Sequence, residues 1–206
     1  WDGATWVQRF PSTSPTARYS HTMAFDAIRD RVILFGGFSG GNNGDTWEWD
    51  GNNWVELSPS GQPNLPTARS NHAMTYDNVR NRIVMFGGHD GALQFDTWEY
   101  DGAVGLDGSW TQVQQAGPME ARQAAAMAFD PLRQRTVLFG GQKNSGFFIF
   151  DDTWEWDGAT WTQPAINNGP TGRTSQGMIF DSVRQSILIL EADQPTANQH
   201  SNKIIE

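Results

Sequence analysis

The sequence predicts an all-β protein, a β-propeller of four-stranded antiparallel blades with four blade-lengths present. One pattern of about 50 residues recurs four times along the 206-residue chain, and periods of about 20–50 residues mark solenoids, propellers or arrays. Within each copy, short apolar or alternating runs are separated by Gly- and Asp-bearing turns, the length and punctuation of strands. No stretch carries a helical period, and radially repeated four-stranded sheets are the blades of a propeller.

The clearest copy runs from Arg69 to Trp110. Asn71–Tyr76 reads as a first strand closing on Asp77, and a turn with Arg80 and Arg82 leads into Ile83-Val84-Met85-Phe86. That continuous apolar run is too short for a helix and suits a strand buried on both faces. Gly87-Gly88 follows, permitting positive φ or close approach of a neighbouring backbone. After a variable stretch, Asp96-Thr97-Trp98-Glu99-Tyr100 alternates as a third strand, and Asp101-Gly102 predicts a tight hairpin into Trp110.

The first copy spans Arg18–Trp54, with a strand over Ser20–Asp26 and Gly36-Gly37, and the third begins at Arg122. The fourth, from Arg173, drifts: Glu191-Ala192 replaces the glycine pair, and Lys203-Ile204-Ile205-Glu206 stands where Asp-Thr-Trp-Glu is expected. Trp1-Asp2-Gly3-Ala4-Thr5-Trp6 has the form of a repeat's end, with Val7-Gln8-Arg9-Phe10 as an outer strand. The expected organisation is a single domain over 1–206, with blade limits near 1–15, 16–66, 67–119, 120–170 and 171–206.

Ten Trp and twelve Phe concentrate apolar area in few side chains, each large aromatic burying roughly 150–250 Å². A net charge of −9 without a basic face argues against nucleic-acid binding. The absence of cysteine removes disulfides, thiolate metal sites and cysteine nucleophiles. No apolar stretch approaches the ~20 residues of a membrane span, so no membrane insertion is expected. Localisation is left open, the cell surface or exterior being favoured.

Strand, Gly-Gly, variable loop, aromatic strand and a later Trp resemble the kelch repeat over essentially the whole chain. The runs Asp-Thr-Trp-Glu-Trp-Asp-Gly are more similar to bacterial kelch-like proteins than to the animal adaptor type. The aligned aromatics Trp1, Trp49, Tyr100 and Trp156 lie 48, 51 and 56 residues apart. Kelch-like propellers usually hold five to seven blades, so the resemblance leaves two arrangements. The chain is either a segment of a larger ring, the favoured reading, or a closed four-bladed ring whose N-terminal strand completes the last blade.

Whatever recurs in every copy is most simply architectural. Arg18, Arg69, Arg122 and Arg173 precede the first strand of each blade, where an anion-holding cationic ring competes with pairing to the recurring Asp or to carbonyls. Pairing is favoured, because arginine suits forked, buried hydrogen bonding. Asp45, Asp96 and Asp152 are read as turn caps accepting backbone N–H groups. Trp47, Trp98 and Trp154 are read as packing between blades rather than as sugar platforms.

The turns after first and third strands share one face of the disc, and the links after second and fourth share the other. The second set is long and dissimilar between copies, and variable loops on a rigid scaffold carry recognition. Candidate binding residues there are Phe38, His89, Asp90, Phe147 and Phe148. The last two form an apolar patch, unless Phe148 and Phe150 extend the strand and pack inside. His21 and His72 share a repeat position but lack a carboxylate at fixed spacing. The cross-linked Tyr–Cys cofactor of galactose oxidase needs a cysteine, and the iron-site spacing of the kelch-like specifier proteins is not matched by Glu191, Asp193 and His200. No Ser–His–Asp set or phosphate loop is recognisable. The expectation is therefore a non-catalytic interaction scaffold that needs no cofactor and binds a protein or glycan through the long-loop face. The alternatives are a carrier part of a larger kelch-type enzyme and a structural segment of a bacterial surface or secreted protein.

Overall fold

A computed structural model describes residues 3–58, 64–105, 108–114, 117–143, 148–190 and 204–205. Among these every regular element is a strand. Blade I comprises β1 (Thr22–Asp26), β2 (Arg31–Phe35), β3 (Thr46–Trp49) and β4 (Trp54–Ser58), in that order and antiparallel throughout. Blade II repeats it with β5 (Ala73–Asp77), β6 (Arg82–Phe86), β7 (Thr97–Asp101) and β8 (Ser109–Gln114).

Blade III holds β9 (Ala126–Asp130), β10 (Arg135–Phe139), β13 (Thr153–Trp156) and β14 (Trp161–Thr162). A two-stranded ribbon of β11 (Gln142–Lys143) and β12 (Phe148–Ile149) rises between its second and third strands. Blade IV shows β15 (Gly177–Asp181), β16 (Ser186–Leu190) and β17 (Ile204–Ile205).

The first strands are innermost: β1 lies against β5, β5 against β9 and β9 against β15. No comparable contact joins β15 to β1 among the described residues, so the ring of sheets is not closed. Strand alternation gives each blade two apolar faces. Ile33 and Phe35 of blade I meet Met74, Met85, Trp98 and Tyr100 of blade II in one core. Val84 and Phe86, on the other face of blade II, meet Met127, Leu138, Trp154 and Trp156 of blade III in a second.

Three local devices recur. The Asp ending each first strand accepts two turn N–H groups; Asp77 Oδ1 takes Val79 and Arg80 at 3.0 Å each. The fourth turn residue (Asp30, Asn81, Gln134, Gln185) is left-handed at φ of 55–58°. At the opposite end of the strands, Asn71 donates its N–H to Ser20 O, Ala124 to Asn71 O and Ser175 to Ala124 O, at 2.8–2.9 Å. This thread of main-chain bonds links all four blades beside the axis.

Two expectations are corrected. Val7–Phe10 forms no strand, because an outer strand needs a neighbouring ladder and none lies beside it among the described residues. The first strands also begin later than the sequence implied, at Thr22 rather than Ser20, because Ser20 is the left-handed residue of the thread.

Candidate functional site

The recurrent Arg, Asp and Trp form one unit at the long-loop end of each blade. Arg69 donates from Nη1 to Asp96 Oδ1 at 2.6 Å and to Gly87 O at 3.0 Å, and from Nη2 to Asp96 Oδ2 at 2.8 Å. Trp98 Nε1 donates to the same Oδ2 at 2.7 Å. Arg18–Asp45–Trp47 and Arg122–Asp152–Trp154 repeat this bonding.

Burial alone would raise the Asp45 and Asp152 carboxyls, but the bonds from arginine and tryptophan outweigh it and hold both below the ordinary value. The guanidinium groups of Arg18, Arg69 and Arg122 are thus committed to carboxylates, and this geometry offers no anion site at them. The turn-cap reading of the three Asp is corrected in part: their oxygens take Arg and indole donors, and Asp45 and Asp152 accept a backbone N–H as well. Arg173 bonds Thr171 O and Thr171 Oγ1 at 3.0 and 3.1 Å. Trp98 and Trp154 sit in the I/II and II/III cores, whereas Trp47, paired with Leu34, lies on the face of blade I turned from blade II.

Above the main-chain thread, antiparallel bridges pair Tyr19 with Phe38, Ser70 with His89 and Gln123 with Gln142. Phe38 and His89 therefore occupy one repeat position at the long-loop mouth of the axis. Phe38 is half-buried against the ring of Tyr19, centroids 5.4 Å apart, and Tyr19 is 65% exposed. His89 accepts Asn42 Nδ2 on its carbonyl at 3.0 Å, a link between the loops of blades I and II. Asp90 accepts Thr67 Oγ1 at 2.8 Å and Gln94 Nε2 at 2.7 Å. Burial pushes its carboxyl up, and the Thr67 hydroxyl and Ala92 N–H outweigh this and lower it. Asp90 is thus a loop-ordering group with one flank open to solvent.

Phe148 stands 54% exposed on the ribbon, opposite Lys143, which pairs with Glu120 at 2.5 Å. Phe150 instead packs inside, 3.8 Å under the Arg122 guanidinium. Phe147, with Glu191, Asp193 and His200, lies outside the described residues.

His72 is buried at the I/II seam, its ring edge-on to Phe35 at 5.4 Å. Burial first, then the charge of Arg69, pushes its pKa down to about 3. Gln176, at the same repeat position, donates Nε2 to Phe139 O at 2.9 Å. Among the described residues no group of three His, Asp, Glu or Cys is placed to hold a metal ion.

Sequence reasoning passed over two surfaces. Tyr19 and Phe95 are exposed aromatics on the long-loop face, legible only once that face is drawn. Ile28, Val79, Leu132 and Val183 are exposed on the short-turn face at one repeat position, and their signal was plain: Asp, any residue, aliphatic, Arg, four times over. The inner strands also line an axial cavity of about 530 Å³, with Met23, Met74, Met127 and Met178 at one position and Phe25, Tyr76, Phe129 and Phe180 at another.

Blades I to III, each braced internally by an Arg–Asp–Trp unit and carrying dissimilar long loops, define with blade IV a repeat-built β-propeller. A model of the KLHDC2/KLHL20/DRC7 Kelch-repeats domain matches residues 2–190, and the chain belongs to the kelch-repeat family. Kelch-repeat domains are generally protein-interaction scaffolds. Among solved structures the chain is similar to YjhT, with a TM-score of 0.63 and 17% identity over 84% of this chain and 58% of that one. It therefore spans less than two thirds of that protein's length, and the likeness speaks to fold alone.

Proposed function

We propose that this chain is a non-catalytic interaction module that grips a protein or glycan through its long-loop face. The observation that carries the reading is an asymmetry between faces. The short-turn aliphatic ring repeats from blade to blade, as architecture does. The long-loop face varies and, among the described residues, combines exposed aromatics (Tyr19, Phe95, Phe148) with polar His89 and Asp90 at its axial mouth. Aromatic side chains amid polar groups are what interfaces enrich and carbohydrates stack upon. Phe38 supports Tyr19 from beneath, and Phe147 is assigned to the same patch from the sequence.

The test pairs Tyr19→Ala with Phe148→Ala, both exposed, against Ile28→Ala with Val183→Ala on the other face. Each pair is assayed by photo-crosslinking to partners and on a glycan array. Loss with the first pair only is expected. Loss with the second pair only refutes the assignment of the face.

A further inference from the structure

Two Asn-Gly pairs occur in the chain, Asn43-Gly44 and Asn168-Gly169. In such a pair the main-chain nitrogen of the glycine can attack the asparagine amide, and the missing Cβ leaves that approach unhindered. Asparagine is for this reason among the thermolabile residues. The two pairs share one chemistry and differ in what surrounds it.

Asn43 is pinned. Its N–H donates to Gly37 O at 2.8 Å, its carbonyl accepts the Arg69 N–H at 2.9 Å, and its Oδ1 accepts the Ser39 hydroxyl at 3.0 Å. Gly44 behind it is buried. Turning the Asn43 side chain onto the Gly44 nitrogen would disturb bonds that tie blade I to blade II.

Asn168 lies in the link from β14 to Arg173, on the long-loop face. Residues 165–169 are all exposed, and from Pro164 to Pro170 no hydrogen bond ties the link to a described residue. A Cβ added at Gly169 would meet only Ile166 Cγ2, at 3.6 Å, so the backbone there has room to turn. Asn168 follows Trp161 by seven residues, as Gly117 follows Trp110. Blade II carries Gly117-Pro118 at that place, with neither a side-chain amide nor a main-chain N–H in the second residue. The reactive pair therefore distinguishes blade III from blade II.

We infer that Asn168 is a modification site, converted without an enzyme to aspartate and isoaspartate. The Gly169 nitrogen forms a bond to Asn168 Cγ, the Cγ–Nδ2 bond breaks, and Nδ2 leaves as ammonia with the Gly169 amide proton. Water then opens the cyclic imide. Opening at Cγ gives aspartate; opening at the main-chain carbonyl gives isoaspartate and routes the backbone through an added methylene. Either product adds a negative charge to a chain already at −9. The conversion is a property of the chain alone and proceeds whether or not the long-loop face holds a partner.

Peptide mapping by mass spectrometry, on the folded chain aged at 37 °C in weakly alkaline buffer, tests this. Fragment ions should place the amide-to-acid mass gain at Asn168, at least about tenfold faster than at Asn43, where local structure must open first. In urea the two rates should converge. Isoaspartyl methyltransferase should label the peptide that contains position 168. Gly169→Ala introduces only an ordinary contact, so it should keep the melting temperature and slow the conversion severalfold. An unchanged Asn168 overturns the proposal, as do equal rates at the two asparagines of the folded chain. Conversion without isoaspartate at position 168, or at a rate indifferent to Gly169→Ala, overturns it as well.

Discussion

Replacing His72 by Gln should flatten the acid sensitivity of the fold. Burial and then Arg69 depress the imidazole from 6.5 to about 3 in the folded chain, while the unfolded chain titrates near 6.5. With the folded-state pKa the lower one, the unfolded chain takes up the proton first as pH falls. The stability is fully present above about 6.5 and is lost progressively toward about 3. One pKa unit corresponds to about 1.4 kcal/mol, so at pH 5 the wild type should have lost roughly 2 kcal/mol on this group's account.

Glutamine is the apt replacement because Gln176 already fills the equivalent seat and donates to a strand-end carbonyl. Urea unfolding followed by tryptophan fluorescence at pH 7.5 and 5 measures the difference. His72→Gln should shrink the loss between those values by about 2 kcal/mol. Equal losses in variant and wild type would show that His72 is not held neutral by its burial, and the reasoning would fail.

Three more outcomes follow from the same geometry. Asp96→Asn removes the counter-charge of a wholly buried Arg69 and should cost about 3–5 kcal/mol in urea unfolding; Lys143→Ala, at an exposed pair, should cost at most about 1 kcal/mol. Gly88→Ala places a Cβ 2.8 Å from Ser70 O at φ +97° and should lower the melting temperature well beyond Gly40→Ala, which meets open space at φ +91°; the strain alone is about 1–3 kcal/mol. The depressed carboxyls of Asp45 and Asp152 contribute stability above their unfolded value of 3.8 that is lost as pH falls through the lower folded values. An acid titration by circular dichroism should therefore show a further transition below about pH 4, absent in a double Asp→Asn variant that is already weakened at neutral pH.

The blades were legible because their signals are local and repeated. Four apolar residues before Gly-Gly, then an alternating Asp-Thr-Trp-Glu, specify strands and their faces without reference to distant chain. The forked Arg–Asp pairing was also within reach, since an Arg and an Asp recurring in the same blade must meet somewhere near the strand ends. The indole bonds were not. Trp98 donates within its own blade and Trp110 across the seam to Thr46, and nothing in either residue's neighbourhood distinguishes the two. Val7–Phe10 reads as a strand by pattern, but a ladder partner decides that, and pattern does not supply one. The long-loop face was legible as an assignment of loops to a side, while Tyr19 gained meaning only from its stacking on Phe38.

The main-chain thread from Ser20 through Asn71 and Ala124 to Ser175 asks almost nothing of side chains. Its four left-handed positions accept Ser, Asn and Ala alike, so a duplicated or lost copy of the motif would leave the strand of bonds unbroken. A fold held together in this way can change its number of units by whole-motif duplication and let each unit's loops drift afterwards, so architecture and specificity evolve on separate residues.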